Sequence, residues 1–360
     1  MNRTPLHSLH AQLGADFGAW SGWELSQGFG DPKAEYMAAS QGVALLDRSA
    51  MGRFRVSGKD ALDLLNRLSS YKVDPLPPGS GAGTLLTTNK GRVIDLLHLF
   101  ATERGLLMLA SPRAGQRVAE WIDAYTFLEE VSLEDVTDGT AQIGLLGPGA
   151  EGLLRRITGE ALPRLERYGS AGMALAGGHA LLLRSDPLNT PGYDLVTPAS
   201  QAAALWGALA QAGATPMGEA TYDLLCIEAG IPRHGWEVSE EVNPWEVALE
   251  EYIHFAKGCY IGQEVVLRLK TYDKVQRRLV RLAFSGPGAT EGAKLRKGEA
   301  EVGRVTSVAV HPLTGEQLGL GLVRAALASV GTKLKVGGAG EGTAVQAVVK
   351  EAPAVTTAGV

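Results

Sequence analysis

The sequence predicts an α+β protein in which a duplicated α+β unit is followed by a small β-barrel. Three observations predict it. Gly58, Ala61, Leu64, Leu65, Arg67, Leu68 and Ser69 recur at identical offsets as Gly147, Ala150, Leu153, Leu154, Arg156, Ile157 and Thr158. Each copy follows an apolar run, Phe54-Arg55-Val56 in one case and Ile143-Gly144-Leu145-Leu146 in the other, so each reads as strand, tight turn, helix. From Val275 onward the pattern changes to short alternating strands separated by glycine turns, the signature of a small barrel. The alternative for the repeat is coincidence, since Leu-Leu helices are common.

The elements follow in order. Asp31-Pro32 opens a helix, with Asp as N-cap and Pro in the first turn, and Gly42 closes it. Phe54 to Val56 is a strand and Gly58 to Ser69 a helix. Thr84 to Phe100 is a hairpin, two apolar runs around Asn89-Lys90-Gly91. Leu106 to Ala110 is a strand and Pro112 to Tyr125 a helix. Ala180 to Leu183 and Tyr193 to Val196 are strands. Ser200 N-caps a helix that runs to Gln211, and Thr221 to Ala229 is a helix stopped by Gly230 and Pro232. The barrel strands are Arg278–Phe284, Val302–Val310, Leu318–Val323 and Ala344–Val349, and Glu351 to Val360 reads as a loose tail. The expected domains are residues 1–140 (first α+β part), 141–270 (second α+β part) and 275–352 (barrel).

Composition narrows the classes. With 360 residues, 45% hydrophobic and 20% charged, the chain has the make-up of a globular protein of two or three domains, at roughly 100–200 residues each. A net charge of −5 argues against a general nucleic-acid binder. Two cysteines, Cys226 and Cys259, are too few for a disulfide scaffold or a four-thiolate metal cluster, and they fit a reducing, cytoplasmic compartment. No apolar run approaches the roughly 18 residues of a membrane span. The first 18 residues, with His7 and His10, read as a mobile polar end, and no metal site is expected there.

Nucleophile-elbow, zinc-protease and Walker motifs are absent. Gly79-Ser-Gly-Ala-Gly83 precedes a strand, not a helix, and reads as a loop rather than a phosphate cradle. Cys259 stands apart. It lies in Lys257-Gly258-Cys259-Tyr260-Ile261-Gly262-Gln263-Glu264, where two glycines bracket a thiol and a phenol, with a lysine two residues before the thiol. A nearby ammonium favours the thiolate. Packing at the junction with the barrel is the bland alternative for this cysteine.

That octapeptide resembles the signature of the YgfZ proteins, which include mitochondrial iron–sulfur assembly factors. Glu228-Ala229-Gly230-Ile231-Pro232, with Asn243-Pro244 and Glu246 after it, is similar to a segment shared by YgfZ and the glycine-cleavage T proteins. Gly91-Arg92-Val93-Ile94-Asp95 resembles the T-protein glycine-plus-acid turn, and Gly192-Tyr193-Asp194-Leu195 a strand whose acid grips a pterin. The resemblance covers roughly residues 40 to 350 and implies a cloverleaf of duplicated folate-binding domains plus barrel, with tetrahydrofolate as cofactor. It further implies that Asp194, with Tyr193, Glu228 and Tyr260, contributes to folate binding, and that Cys259, Lys257 and Asp95 carry any chemistry. One carboxylate can accept two parallel N–H bonds from a pterin amide edge. For Asp194 the alternative is an ordinary strand acid, and for Asp95 a hairpin acid facing solvent. Two departures matter. Leu96 stands where T proteins carry a second acid, and Cys226 stands where many members carry arginine.

The function expected on this resemblance is a cytoplasmic reduced-folate-binding protein that supports iron–sulfur client enzymes, binding neither nucleic acid nor membrane. The alternative it leaves open is a folate-dependent aminomethyltransferase or related demethylase.

Overall fold

A computed structural model describes residues 1–159, 162–337 and 345–351. The chain begins with β1 (Asn2–Arg3), α1 (His7–Gln12), β2 (Asp16–Trp20), β3 (Trp23–Gly28) and α2 (Pro32–Gln41). The first strand-turn-helix copy follows, after β4 (Ala44–Asp47), as β5 (Gly52–Ser57) and α3 (Ala61–Leu68). Then come β6 (Gly81–Thr87), β7 (Val93–Thr102), β8 (Gly105–Ala110), α4 (Ala114–Asp123) and β9 (Ser132–Asp135). The second copy is β10 (Thr140–Leu146) and α5 (Ala150–Thr158). After it lie β11 (Ser170–Leu175), β12 (Gly178–Arg184), β13 (Tyr193–Pro198), α6 (Ala202–Gln211), β14 (Thr215–Met217), α7 (Glu219–Ala229) and α8 (Gln263–Thr271). The remaining strands are β15 (Arg277–Phe284), β16 (Lys294–Lys297), β17 (Ala300–Val310), β18 (Gln317–Arg324), β19 (Lys333–Val336) and β20 (Gln346–Lys350).

Two compact units result, both discontinuous in sequence. One comprises residues 1–86, 95–221 and 254–260; the other comprises 87–94, 222–253 and 261 onward. The first unit carries a six-stranded sheet in the order β11-β12-β13-β10-β4-β14 and a five-stranded sheet in the order β6-β7-β8-β5-β9; residues 87–94, around the β6–β7 turn, belong to the second unit. Strand β4, from before the first repeat copy, pairs with β10 of the second copy. The two copies lie in separate sheets, β5 in the five-stranded one and β10 in the six-stranded one, and β4 from before the first copy completes the second copy's sheet.

The repeat holds at the level of backbone geometry. Gly58 and Gly147 end their strands with φ of 110° and 106°, where a side chain is strained. A Cβ on Gly58 would lie 1.9 Å from the Glu130 carbonyl oxygen, and one on Gly147 would lie 2.6 Å from that of Gly42. In the six-stranded sheet, Leu45, Ile143, Leu145, Leu182 and Leu195 point to one face. There they pack against Leu153 and Leu154 of α5 and Leu205, Trp206 and Leu209 of α6. Period-2 alternation leaves the other face of these strands to Gln142, Gly144 and Asp194.

The second unit contains a closed barrel of order β15-β18-β17-β16-β19-β20, filled by Leu282, Leu295, Val305, Val323, Ala347 and Val349. Its four expected strands are present, β20 starting at Gln346. The short β16 and β19, of four residues each, are Lys-Leu-Arg-Lys and Lys-Leu-Lys-Val, and escaped the sequence pattern. Asn243 caps the 3-10 turn Pro244–Glu246 by accepting the Trp245 and Glu246 N–H groups. Buried Glu246 in turn accepts from Arg277 of β15 at 2.7 and 3.1 Å.

Other expectations need correction. The first residues are not a loose end: Leu6 and His10 are buried, and His7 meets the Glu24 carboxylate at 3.0 Å. A sequence reading misses this because α1 spans too few residues to show a helical period. Ser200 does not cap α6. Pro198 directs the chain into a 3-10 turn, Ala199–Gln201, which runs into the helix with no side-chain cap. The helix over Pro32–Gln41 does start as expected, with Asp31 accepting the N–H groups of Lys33 and Ala34. The expected tail lies outside the described residues beyond Glu351. Among the described residues no helix is long and apolar enough to cross a membrane.

Candidate functional site

The best-defined polar site lies within the first unit, on the sheet face turned away from α5 and α6. Asp194 is the second residue of β13 and is fully buried. Its register partner on β10 is Gly144, where a Cβ would stand 2.8 Å from Cδ of Arg48. The missing side chain is what admits the arginine. Arg48 follows β4 directly and ion-pairs through Nε with Asp194 Oδ1 at 3.3 Å. Its guanidinium also reaches Met51 Sδ at 3.0 Å, and Gln142 Nε2 reaches the same sulfur at 3.7 Å. Neither carboxylate oxygen of Asp194 receives a hydrogen bond from the described residues, and neither does Gln142 Oε1. Three shielded acceptors within one cluster are costly at about 1–3 kcal/mol each unless a ligand or water supplies donors.

A histidine adjoins this cluster. Exposure alternates along β7: Asp95, Leu97 and Leu99 are fully buried, while Leu96 and His98 are partly open. The positive charges of Arg48 and Arg167 both act on His98, and burial, the larger cause, joins them in pushing its pKa down to about 3. The imidazole is therefore neutral at physiological pH. Its ring lies 5.4 Å from that of Tyr168, over which Arg167 stacks at 5.0 Å. His98 Nε2 is shielded and has no hydrogen-bond partner among the described residues. Sequence reasoning missed Arg48, His98, Gln142 and Arg167, since nothing local marks them. The lone signal for Arg48 is Gly144, a glycine in a strand interior, which often marks close approach by another group.

The residues named from the sequence fall in several places. Asp194 is in this cluster. Tyr193, its neighbour, is not: it packs on the opposite, helix-covered face among Leu145, Leu153 and Leu195, because successive strand residues point to opposite sides. That removes Tyr193 from the Asp194 site. Asp95 is fully buried and accepts the Ser111 N–H at 2.8 Å. Glu228 lies in the second unit, 3.4 Å from His311.

The octapeptide is a loop that leads into α8. Lys257 donates to the carbonyls of Asn66, Ser69 and Tyr71 at 2.6, 2.6 and 2.9 Å. All three donors of its ammonium are thus committed at the C-terminal end of α3. Burial draws its pKa down to about 8. The carbonyls and the helix dipole act the other way, toward the charged form. Tyr260 lies under the ammonium at 5.3 Å, and burial raises its phenol to about 12. Cys259 is exposed, whereas Cys226 is buried in α7. Gly262 starts α8 with φ 83°, where a Cβ would strike the Thr88 carbonyl oxygen at 2.4 Å. Thr87 donates to the Ile261 carbonyl at 2.6 Å, which fastens the loop to the β6–β7 turn.

An α/β unit with a shielded carboxylate and a second unit with a closed six-stranded barrel make up a two-part protein. Residues 6–257 match the GCVT N-terminal domain, and residues 277–355 match the glycine cleavage T-protein C-terminal barrel domain. The chain belongs to the glycine cleavage T-protein family. It is 33% identical over 344 residues to an aminomethyltransferase of Geobacillus kaustophilus, covering 93% of this chain and 94% of that protein. To an aminomethyltransferase of Thermotoga petrophila it is 30% identical over 359 residues, covering 98% and 97%. Its fold superposes on the crystal structure of glycine cleavage system aminomethyltransferase T from Bartonella henselae with a TM-score of 0.88, at 22% identity, over 98% of this chain and 97% of that one.

Proposed function

We propose that this protein binds a reduced folate at the Asp194 cluster and takes part in folate-dependent one-carbon transfer of the aminomethyltransferase type. The observation that carries the reading is Asp194. It presents two shielded oxygens with no hydrogen-bond donor among the described residues, and Arg48 ion-pairs with it at 3.3 Å. A pterin offers the complement, an amino group beside a ring N–H, and two parallel N–H···O⁻ bonds are among the stronger pairings available to a neutral donor edge. Gln142 Oε1 adds a third acceptor. The names of the relatives support the transferase side over the iron–sulfur side.

When bound, the folate would supply the carrier nitrogen for the one-carbon unit. The chain's own part is to hold and orient it. Asp95 lies on the buried face of β7, opposite His98, and its part would be to position that strand by accepting the Ser111 N–H. Calorimetry with tetrahydrofolate tests the reading. Asp194→Asn replaces one acceptor with a donor, and we expect affinity to fall by roughly 5- to 150-fold. Unchanged affinity would remove Asp194 from the site. In a transfer assay with an aminomethyl-loaded carrier, turnover that largely survives Asp95→Asn fits this positioning role, and a fall of about 10²-fold or more would make Asp95 an acid–base group.

The exposure of Cys259 favours a second reading, a folate-dependent helper of iron–sulfur enzymes with a thiol at its surface. Thiol reagents should label Cys259 ahead of Cys226 by on the order of 10²-fold or more, because α7 must open first to expose Cys226. Cys259→Ala tested for support of iron–sulfur enzymes in cells decides this reading, and a silent substitution discards it.

A further inference from the structure

We propose that His98 is a specificity-determining residue of the Asp194 cluster, whose Nε2 hydrogen-bonds a polar group on the ring edge of the bound reduced folate. This rests on the folate reading above. Four observations lead to it. The alternation of β7 turns His98, together with Leu96, to the strand's more open face, away from the fully buried face of Leu97 and Leu99. Arg48 links it to the acid, since the same guanidinium touches Asp194 at 3.3 Å and bears electrostatically on His98. Nε2 is shielded from solvent, yet no described residue hydrogen-bonds it. Its ring is held from the side by Tyr168, which stacks in turn with Arg167.

A strand position chosen only for packing would carry an apolar residue, as Leu97 and Leu99 do on the same strand. Imidazole there costs a desolvated nitrogen, which a bound partner would repay. Asp194 and Gln142 contribute only acceptors among their unsatisfied atoms. A pterin edge also carries a ring carbonyl and ring nitrogens that accept. Neutral imidazole can donate or accept through Nε2 according to its tautomer, so it answers the part of the edge that carboxylate and amide oxygens cannot. Protonation is resisted by Arg48 and Arg167, which keeps the group a hydrogen-bonding reader and not a cation.

Two measurements on the full chain test this. The first is calorimetric. Tetrahydrofolate should bind His98→Leu about tenfold more weakly than wild type, while His98→Gln, whose amide reaches a similar position, should recover most of the loss. The second uses histidine labelled at the imidazole nitrogens, with the His98 signal assigned through His98→Gln. Adding tetrahydrofolate should shift the Nε2 resonance, which a purely structural histidine would not show. Wild-type affinity in His98→Leu, or an Nε2 resonance that does not move when folate binds, overturns the role of His98 and leaves the folate reading standing. Absence of any binding by the wild type overturns both. Should His98→Leu fail to fold, the resonance in the unaltered protein decides alone.

Discussion

The two copies of the strand-turn-helix unit begin alike and end differently. Both turn on a glycine at positive φ, and both back-bond a hydroxyl at the helix end: Ser69 to the Leu65 carbonyl at 2.7 Å, Thr158 to the Leu154 carbonyl at 3.0 Å. Helix α5 then closes locally, with Gly159 in the left-handed region at φ 67°. Helix α3 has no such glycine. Its chain leaves extended at Ser69, and the ammonium of Lys257 gathers the carbonyls instead. Every helix end must satisfy its last carbonyls. One copy meets the requirement with the next residue, the other with a residue 188 positions away from Ser69. A lysine that the sequence suggests as a thiol's neighbour is, in the fold, a helix cap. The start of the octapeptide thus has a structural use whatever Cys259 does.

The sharpest way to break this comparison is Lys257→Met. It keeps the stem and removes three charge-assisted hydrogen bonds, so we expect a loss of about 2–4 kcal/mol in denaturant unfolding. Gly159→Ala should cost only about 1 kcal/mol, since open space surrounds that glycine. If both substitutions cost the same, the long-range cap is not what holds α3. Next in size are the turn glycines. Gly58→Ala should destabilise by about 2–3 kcal/mol and Gly147→Ala by somewhat less. Both pay for positive φ, and the first meets its carbonyl at the shorter distance. The reversed order, measured the same way, would mean the turns are not equivalent.

A further expected effect concerns pH and separates the two sheets. The first copy's sheet carries His98, whose folded pKa of about 3 lies below the ordinary 6.5. Below pH 6.5 the unfolded chain therefore binds the proton more readily, and stability falls as pH drops from 6.5 toward 3. His98→Leu should flatten that part of the stability-versus-pH curve relative to wild type. An unchanged slope would show that His98 stays solvated.

Much of the fold was legible. Gly58 and Gly147 could be paired because a tight strand-to-helix turn at positive φ tolerates little but glycine, so the residue type itself records the geometry. Barrel strands β15, β17 and β18 were legible because eight or more residues of alternation exceed chance. Strands β16 and β19 were not, since four residues carry too little period. At the site, Asp194 could be picked out by resemblance, but the face it uses could be read only by counting from the core: Tyr193 and Asp194 are adjacent in sequence and opposite in space.

By itself the sequence determined the local devices: the Asp31 N-cap, the paired glycine turns, the β6–β7 hairpin, the alternation of the barrel strands, and the Glu228–Pro232 segment that resembles the T proteins. Each depends on residues within a few positions of one another, where backbone sterics and short-range hydrogen bonds act. Only the tertiary structure decided that Arg48 reaches Asp194 across the gap left by Gly144, that His98 joins them, and that Lys257 belongs to α3. Those contacts connect residues about 50 to 190 positions apart. Their existence depends on strand order and on which face each strand buries, and neither is encoded in any single stretch of chain.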